Sequence, residues 1–431
     1  MARAAFTDVR IAGIAAVVPK EEVRLAEEVA RLGGDLRRVE RLARIAGIDR
    51  RRVAPPGVTP ADLCRQAARR LMGILDVPGD AIDALLFVGQ HPDHILPATA
   101  CILQDALGLS RDCAALDVNQ GCSGYVYGLW LAFSLAACSA ARRVLLLVGD
   151  GMTGLLDPEN RVVAPVFGDC GTATLVERAQ GAPAAWFDLG TDGSGAKDLM
   201  IAAGGARIPP PSTPEAYAAH CQRVFDPAGV PWRPNRLHMD AGAVFAFTMD
   251  TVPARIKALL ASAGMTPADV HHLVLHQANR QIMANIAREA GFPESRTPME
   301  TFSRYGNQGA ASIPCALCDA LGEELARGPR TLLLSGYGVG LSWASAILTM
   351  EGARCAPVVD FDPETPIVAP EEELARWRAR IAGAPPETRS DDTSLRGMPR
   401  DGMPSPDAGT AVKACGRAAG PIPTDDEGGM Q

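Results

Sequence analysis

Residues 144–148, Val144-Leu-Leu-Leu-Val148, are all apolar and stand between Arg142-Arg143 and Gly149-Asp150. A run of this length without polar alternation suits a strand covered on both faces, as in a sheet sandwiched between helices. Three more such runs lie on either side of it: Ala84-Leu-Leu-Phe-Val-Gly89, Leu273-Val-Leu275 and Thr331-Leu-Leu-Leu334. Their order repeats. In each half an apolar strand leads to a polar loop, a helix, a second short strand ending in a Gly-containing turn, a helix of small apolar residues and another apolar strand. The first strands lie 188 positions apart (273 − 85), the last 187 (332 − 145) and the turns 185 (307 − 122). A shared order at a nearly constant offset predicts an α/β fold of two fused, duplicated halves.

The first half is expected over residues 1–187 and the second over 238–350. Between them, residues 188–237 are rich in Gly, Pro and polar residues, including Gly-Ser-Gly at 193–195 and Pro-Pro-Pro at 209–211, and read as an excursion over the active-site face. Residues 351–384 form a short extension in which Leu374, Trp377 and Ile381 fall on one face of an amphipathic helix. Residues 385–431 hold seven Pro and seven Gly among 47, which predicts a disordered tail.

Composition narrows the function. The 431 residues carry 42 basic and 50 acidic side chains, a net charge of −8, which argues against a nucleic-acid binder. Eleven cysteines, an odd number without framework spacing, read as reduced thiols of a cytoplasmic protein. Cys315-Ala-Leu-Cys318 has no second pair to complete a zinc site, and the loop carrying His91, Asp93 and His94 has no further ligand, so no metal is expected. The N-terminal apolar run ends in Pro without a cleavage signal. The stretch Tyr125 to Ala141 is too short and mixed for a membrane span and reads as a buried central helix.

Three residues stand where chemistry is made. Cys122 lies in Leu116-Asp-Val-Asn-Gln-Gly-Cys-Ser-Gly124, a short strand and tight turn before a helix, where the macrodipole and free N–H groups favour a thiolate and should lower the thiol pKa. His276 ends the strand Leu273-Val-Leu275 and opens His-Gln-Ala-Asn279. Asn307 sits in Arg304-Tyr-Gly-Asn-Gln-Gly-Ala-Ala-Ser312, read as another strand-to-helix turn. The carboxyl ends of strands in an α/β sheet form the ligand crevice, so the fused halves can bring all three together. A Cys-His-Asn trio suits thioester chemistry, with the sulfur taking an acyl group and His and Asn donating to the carbonyl of a malonyl-type thioester as carbon dioxide leaves. The glycine-rich Gly336-Tyr-Gly-Val-Gly340 is placed to supply a second oxyanion hole.

These segments, with Phe167-Gly-Asp169, Tyr305-to-Leu317 and Ser335-to-Trp343, closely resemble β-ketoacyl-acyl carrier protein synthase III, of the thiolase fold, over roughly residues 6–350. The resemblance implies a five-layered αβαβα architecture and a homodimer. It implies that Cys122 bears the acyl group, that His276 and Asn307 promote decarboxylation, and that the backbone of Cys122 and Val339 forms the oxyanion hole. Acyl-coenzyme A or acyl carrier protein thioesters and a malonyl thioester are the implied substrates, with no permanently bound cofactor. Leu96 resembles the bulky residue sent across the dimer to close the partner's acyl pocket, and Arg161 a contact of the coenzyme A adenine. Two departures bear on the donor. Arg41 and Ile45 stand where a Trp and an Arg commonly hold the nucleotide, and Gln281, beside Arg280, replaces a basic carrier-docking residue. The arginines between Arg37 and Arg52 face only Glu40 and Asp49 in sequence and could meet phosphates or an acidic carrier protein.

Two other functions remain open at this point: acyl transfer to a hydroxyl or amine with His276 as general base, and a non-catalytic partner subunit. A thiolase proper is disfavoured because residues 335–343 hold no second cysteine. Hydroxymethylglutaryl synthase is disfavoured because no Glu is well placed near Cys122.

Overall fold

Alternation within the apolar runs decides how the sheets are buried. In the computed structural model, which describes residues 2–382 except 33, 139–140, 228 and 364–366, Ala84–Val88 and Arg143–Gly151 are neighbouring parallel strands. Leu86, Val88, Leu146 and Val148 point into one hydrophobic core, and Leu85, Phe87, Leu145 and Leu147 into another. The strands Val9–Val18, Asp169–Arg178 and Ala114–Val118 extend this sheet, with the last at one edge and the short Arg354–Cys355 and Val359–Asp360 beside Val9–Val18 at the other. A second sheet repeats the plan. His272–Leu275 lies parallel to Arg330–Gly338, which pairs antiparallel with Ser342–Met350, followed by Ala185–Thr191 and Ala2–Phe6. Leu332 and Leu334 enter the first core and Leu333 a third one. The side-chain period of two makes each continuous run serve two cores.

The core shared by the sheets is filled by the helices Gly124–Ala137 and Ser312–Ala320, buried on nearly every face. Their small residues set the spacing: a Cβ at Gly124 would come within 3.1 Å of Ala310 Cβ and 2.9 Å of Val88 Cγ1. The first sheet's outer face carries the helix Pro60–Leu75, which buries Leu63, Cys64, Ala67, Ala68 and Leu71 and starts with a Thr59–Asp62 capping box. The second sheet's outer face carries Ala241–Ser262 and Arg280–Ala290. This is the five-layered, duplicated thiolase-like arrangement that the sequence predicts.

The structure departs from that reading in several places. Ala185–Thr191 crosses the expected boundary at 187/188 and is a strand of the second sheet, so the excursion begins after it. The second half also lacks the predicted short strand before Asn307. A helix, Glu300–Tyr305, stands there, and Asn307 makes only an isolated bridge with Phe167. The described residues up to Glu373 form one compact unit, and Leu374 begins a second. The helix predicted near Leu374, Trp377 and Ile381 is Pro370–Ile381. The expected tail, 385–431, lies outside the described residues. No helix among the described residues is long and apolar enough to cross a membrane.

Candidate active site

Cys122, His276 and Asn307 all line one cavity of about 590 Å³, walled largely by apolar side chains including Val162, Phe167, Phe245 and Ile282. Each arrives on a different local device. Cys122 sits in the turn between Ala114–Val118 and the central helix, packed against the end of Arg330–Gly338. A Cβ on Gly338, whose φ is +150°, would lie 2.8 Å from both the Cβ and the Sγ of Cys122, so only glycine fits. The backbone amides of Cys122 and Val339 both favour the thiolate over the thiol.

His276 follows its strand and is 2% exposed. Its Nδ1 lies 2.7 Å from Ser312 Oγ, which accepts from Gln277 N–H at 3.3 Å. Donation of the Ser312 hydroxyl proton to Nδ1 is the arrangement that keeps Nε2–H as the imidazole's donor. Gln277 ties this loop to the next: Nε2 donates to the carbonyls of Leu275 (2.9 Å) and Pro298 (3.2 Å), and Oε1 accepts from Phe302 N–H (3.3 Å). Asn279 caps the following helix by accepting from Ile282 N–H at 2.8 Å.

Asn307 is held by backbone. Its N–H donates to Val166 O at 2.8 Å and its C=O accepts from Gly168 N–H at 2.9 Å. Gly306 makes this approach feasible, with φ +74° and room for no Cβ, which would meet Val166 O at 2.9 Å. The Oδ1 accepts from Gly309 N–H at 3.0 Å, leaving the Nδ2 amide as the side chain's donor. Asp150 braces the same turn. It is 1% exposed and accepts from Gln90 N–H (3.0 Å) and Ala310 N–H (2.7 Å), joining the two halves behind the cavity.

Burial governs the electrostatics. It pushes the Cys122 thiol up to about 12. The nearby Asp150 carboxylate adds to that rise, and the N–H groups of Val339 and Cys122 counter it only in part. The expectation of a lowered pKa from the helix N-terminus is therefore corrected: withdrawal from water outweighs the dipole, and the resting group is a thiol. Burial also brings His276 down to about 4, against a smaller raising influence from a Gly309 backbone hydrogen bond, so its ring is neutral at physiological pH. Asp150 is raised to about 6 by burial, with the Ala310 and Gln90 amides opposing.

The other candidates are not brought to the cavity wall. Leu96 is 79% exposed on its loop. Arg161 is next to the lining residue Val162, and Arg41 is exposed on the helix Leu36–Ala46, whose Leu42, Ile45 and Ala46 do line the cavity. Arg280 starts its helix and pairs with Glu294 (3.6 Å) and Glu300 (3.5 Å). The arginine cluster divides. Arg50, Arg51 and Arg52 pair with the distant Glu22, Glu28 and Asp360, and Arg50 also with Asp49, whereas no ion pair forms to Arg37, Arg41 or Arg44 among the described residues. His91 and Asp93 line a separate cavity of about 570 Å³. Among the described residues no three His, Cys, Asp or Glu side chains are grouped to hold a metal. Sequence reading gave no role to Ser312 or Asp150. Ser312 had a signal in its place at the end of the Asn307 motif, whereas Asp150 had none beyond following an apolar strand.

A duplicated αβαβα body with a cysteine, a histidine and an asparagine on one apolar cavity defines a thiolase-like condensing enzyme. Family models described as 3-oxoacyl-[acyl-carrier-protein] synthase III and its C-terminal region match residues 116–193 and 260–350. A putative 3-oxoacyl-[acyl-carrier-protein] synthase 3 of Campylobacter jejuni is 30% identical over 83% of this chain and 99% of its own. The crystal structure of a 3-oxoacyl-(acyl-carrier protein) synthase from Burkholderia xenovorans is 36% identical, covering 84% of this chain and 99% of that one with a TM-score of 0.77. The priming β-ketosynthase of the R1128 polyketide pathway is 25% identical, covering 80% and 97%, with a TM-score of 0.67. The chain belongs to the 3-oxoacyl-[acyl-carrier-protein] synthase III family.

Proposed function

We propose that this chain is a decarboxylative condensing enzyme that carries an acyl group on Cys122 and extends it with a malonyl thioester, in fatty-acid initiation or polyketide-type biosynthesis. The observation that carries the reading is the convergence of Cys122, His276 and Asn307 on one cavity. In the first step the sulfur attacks the carbonyl of an acyl thioester. The two amides stabilise the tetrahedral oxyanion, and the donor thiol departs with the Cys122 proton. In the second, His276 Nε2–H and Asn307 Nδ2 donate to the malonyl thioester carbonyl. Carbon dioxide leaves, the electron pair it releases forms an enolate, and that carbon attacks the acyl-cysteine. The Cys122 sulfur is expelled and takes up a proton. A neutral His276 suits this step because its bond to the developing oxyanion strengthens as charge appears.

The exposed Arg37, Arg41 and Arg44 beside the cavity support docking of an acidic carrier protein or the phosphates of coenzyme A, with Arg161 and Arg280 as further candidates. A homodimer follows from the same reading, with Leu96 entering the partner, and its support is the near-complete exposure of Ile95 and Leu96. A set of unpaired thiols fits a cytoplasmic setting. No permanently bound cofactor enters the scheme.

Intact mass after incubation with acyl-coenzyme A and acyl-carrier donors tests the first step, and release of labelled carbon dioxide from a malonyl thioester tests the second. Cys122→Ala should abolish the adduct, whereas His276→Ala and Asn307→Ala should retain it and lose carbon dioxide release. An acylation defect in either as deep as that of Cys122→Ala would refute the division of roles. Acyl transfer to a hydroxyl or amine would leave the label in malonate.

A further inference from the structure

The two amides that the acyl-cysteine reading gives to the oxyanion hole, those of Cys122 and Val339, come from different halves of the chain. One belongs to the turn before the central helix and the other to the loop between the last two long strands, so no continuous backbone fixes their separation. We propose that Gln120, Ser123 and Ser342 are positioning residues that clamp these two segments together and thereby set the oxyanion hole. The proposal rests on the acyl-cysteine reading above.

The hydrogens of this network are fully assigned by its contacts. Gln120 Nε2 donates to Ser123 Oγ at 3.1 Å and to Ser342 Oγ at 3.2 Å, one N–H for each. Ser342 donates its single proton to the Val339 carbonyl at 2.8 Å. The 2.8 Å contact between the two hydroxyls therefore has Ser123 as donor. Ser123 and Ser342 are 0% and 1% exposed, so water offers no substitute for these bonds. Fixing the Val339 carbonyl fixes the residue that supplies the second amide of the hole. Direct packing tightens the link: a Cβ on Gly121 would fall 2.2 Å from Val339 Cγ1, and one on Gly336 would fall 2.7 Å from the Cys122 carbonyl. None of the three polar residues lines the cavity, so they act through the amides and not on substrate.

The test compares two reactions of Cys122. Acylation by a thioester passes through an oxyanion; alkylation by iodoacetamide displaces iodide at a saturated carbon and does not. In Ser342→Ala, acylation by a panel of acyl-coenzyme A donors, followed by quenched intact mass, should slow roughly ten- to a hundredfold, approaching the loss of a whole oxyanion donor. Alkylation, which responds only to the thiolate fraction, should fall far less, so the ratio of acylation to alkylation drops, and Ser342→Thr should restore that ratio. Ser123→Ala should show the same pattern more weakly, since the Ser342–Val339 bond survives. Unchanged acylation in Ser342→Ala, a parallel fall in alkylation, or no recovery in Ser342→Thr would overturn the clamp. A wild-type chain that is alkylated at Cys122 yet accepts no acyl group from any donor would instead overturn the acyl-cysteine reading, and the clamp with it.

Discussion

At the scale of single residues, Cys122 and His276 are tuned by the same burial in opposite directions. The thiol rises to about 12 and the imidazole falls to about 4, so at neutral pH both are uncharged. The sign for the thiol is direct. Below its pKa the thiolate fraction grows tenfold per pH unit, so acylation should climb with a log-rate slope near one from pH 6 to 9. A plateau near pH 7 would mean that the helix N-terminus, and not burial, sets the sulfur's pKa. Ser312 should matter to the other step. Ser312→Ala removes the hydroxyl on Nδ1, and the lost bond, about 1–1.5 kcal/mol, should slow carbon dioxide release roughly tenfold while acylation is spared. The position of Cys122 was legible because a turn between an apolar strand and a small-residue helix is a local pattern. Its proton affinity was not, since the cavity that desolvates it is assembled from both halves.

At the scale of elements, the strands were readable and the Asn307 turn was not. Continuous apolar runs announce doubly covered strands wherever they occur, and all four became one. The segment before Asn307 depends on a backbone bridge to Phe167 from the other half, which no local pattern encodes. The arginines at 50–52 mislead for a similar reason: besides Asp49, which pairs with Arg50, their acidic partners are Glu22, Glu28 and Asp360, far from them in sequence. Asp150 holds the turn through two amides. Asp150→Asn replaces an acceptor oxygen with a donor and should destabilise the fold by about 1–3 kcal/mol, readable as a lower midpoint in denaturant. Its pH signature has a definite sign. A carboxyl raised to about 6 stabilises the fold most below its unfolded pKa, and that contribution is lost as pH rises through 6. The stability gap between wild type and variant should therefore narrow on going from pH 4 to 8. The end of Arg330–Gly338 is equally constrained: Gly338→Ala should lower the denaturation midpoint and react poorly with thioesters, because the new methyl strains the backbone and crowds the sulfur.

At the scale of the whole molecule, the two halves are unequal. The first sheet ends in the edge strand Ala114–Val118, with Leu116 41% exposed, and the second has no counterpart to it. An open edge beside exposed Ile95 (89%) and Leu96 (79%) is the kind of surface that a second copy covers. On the proposed homodimer, Ile95→Asp combined with Leu96→Asp should halve the mass seen by light scattering after size exclusion. An unchanged mass would place the interface elsewhere. The seam between the halves has a further consequence. Because one amide of the hole belongs to Cys122 and the other lies across that seam, catalysis registers the alignment of the two sheets. Slight loosening between them on heating should silence acyl transfer while the helices and strands are still intact, so inactivation should run several degrees ahead of melting.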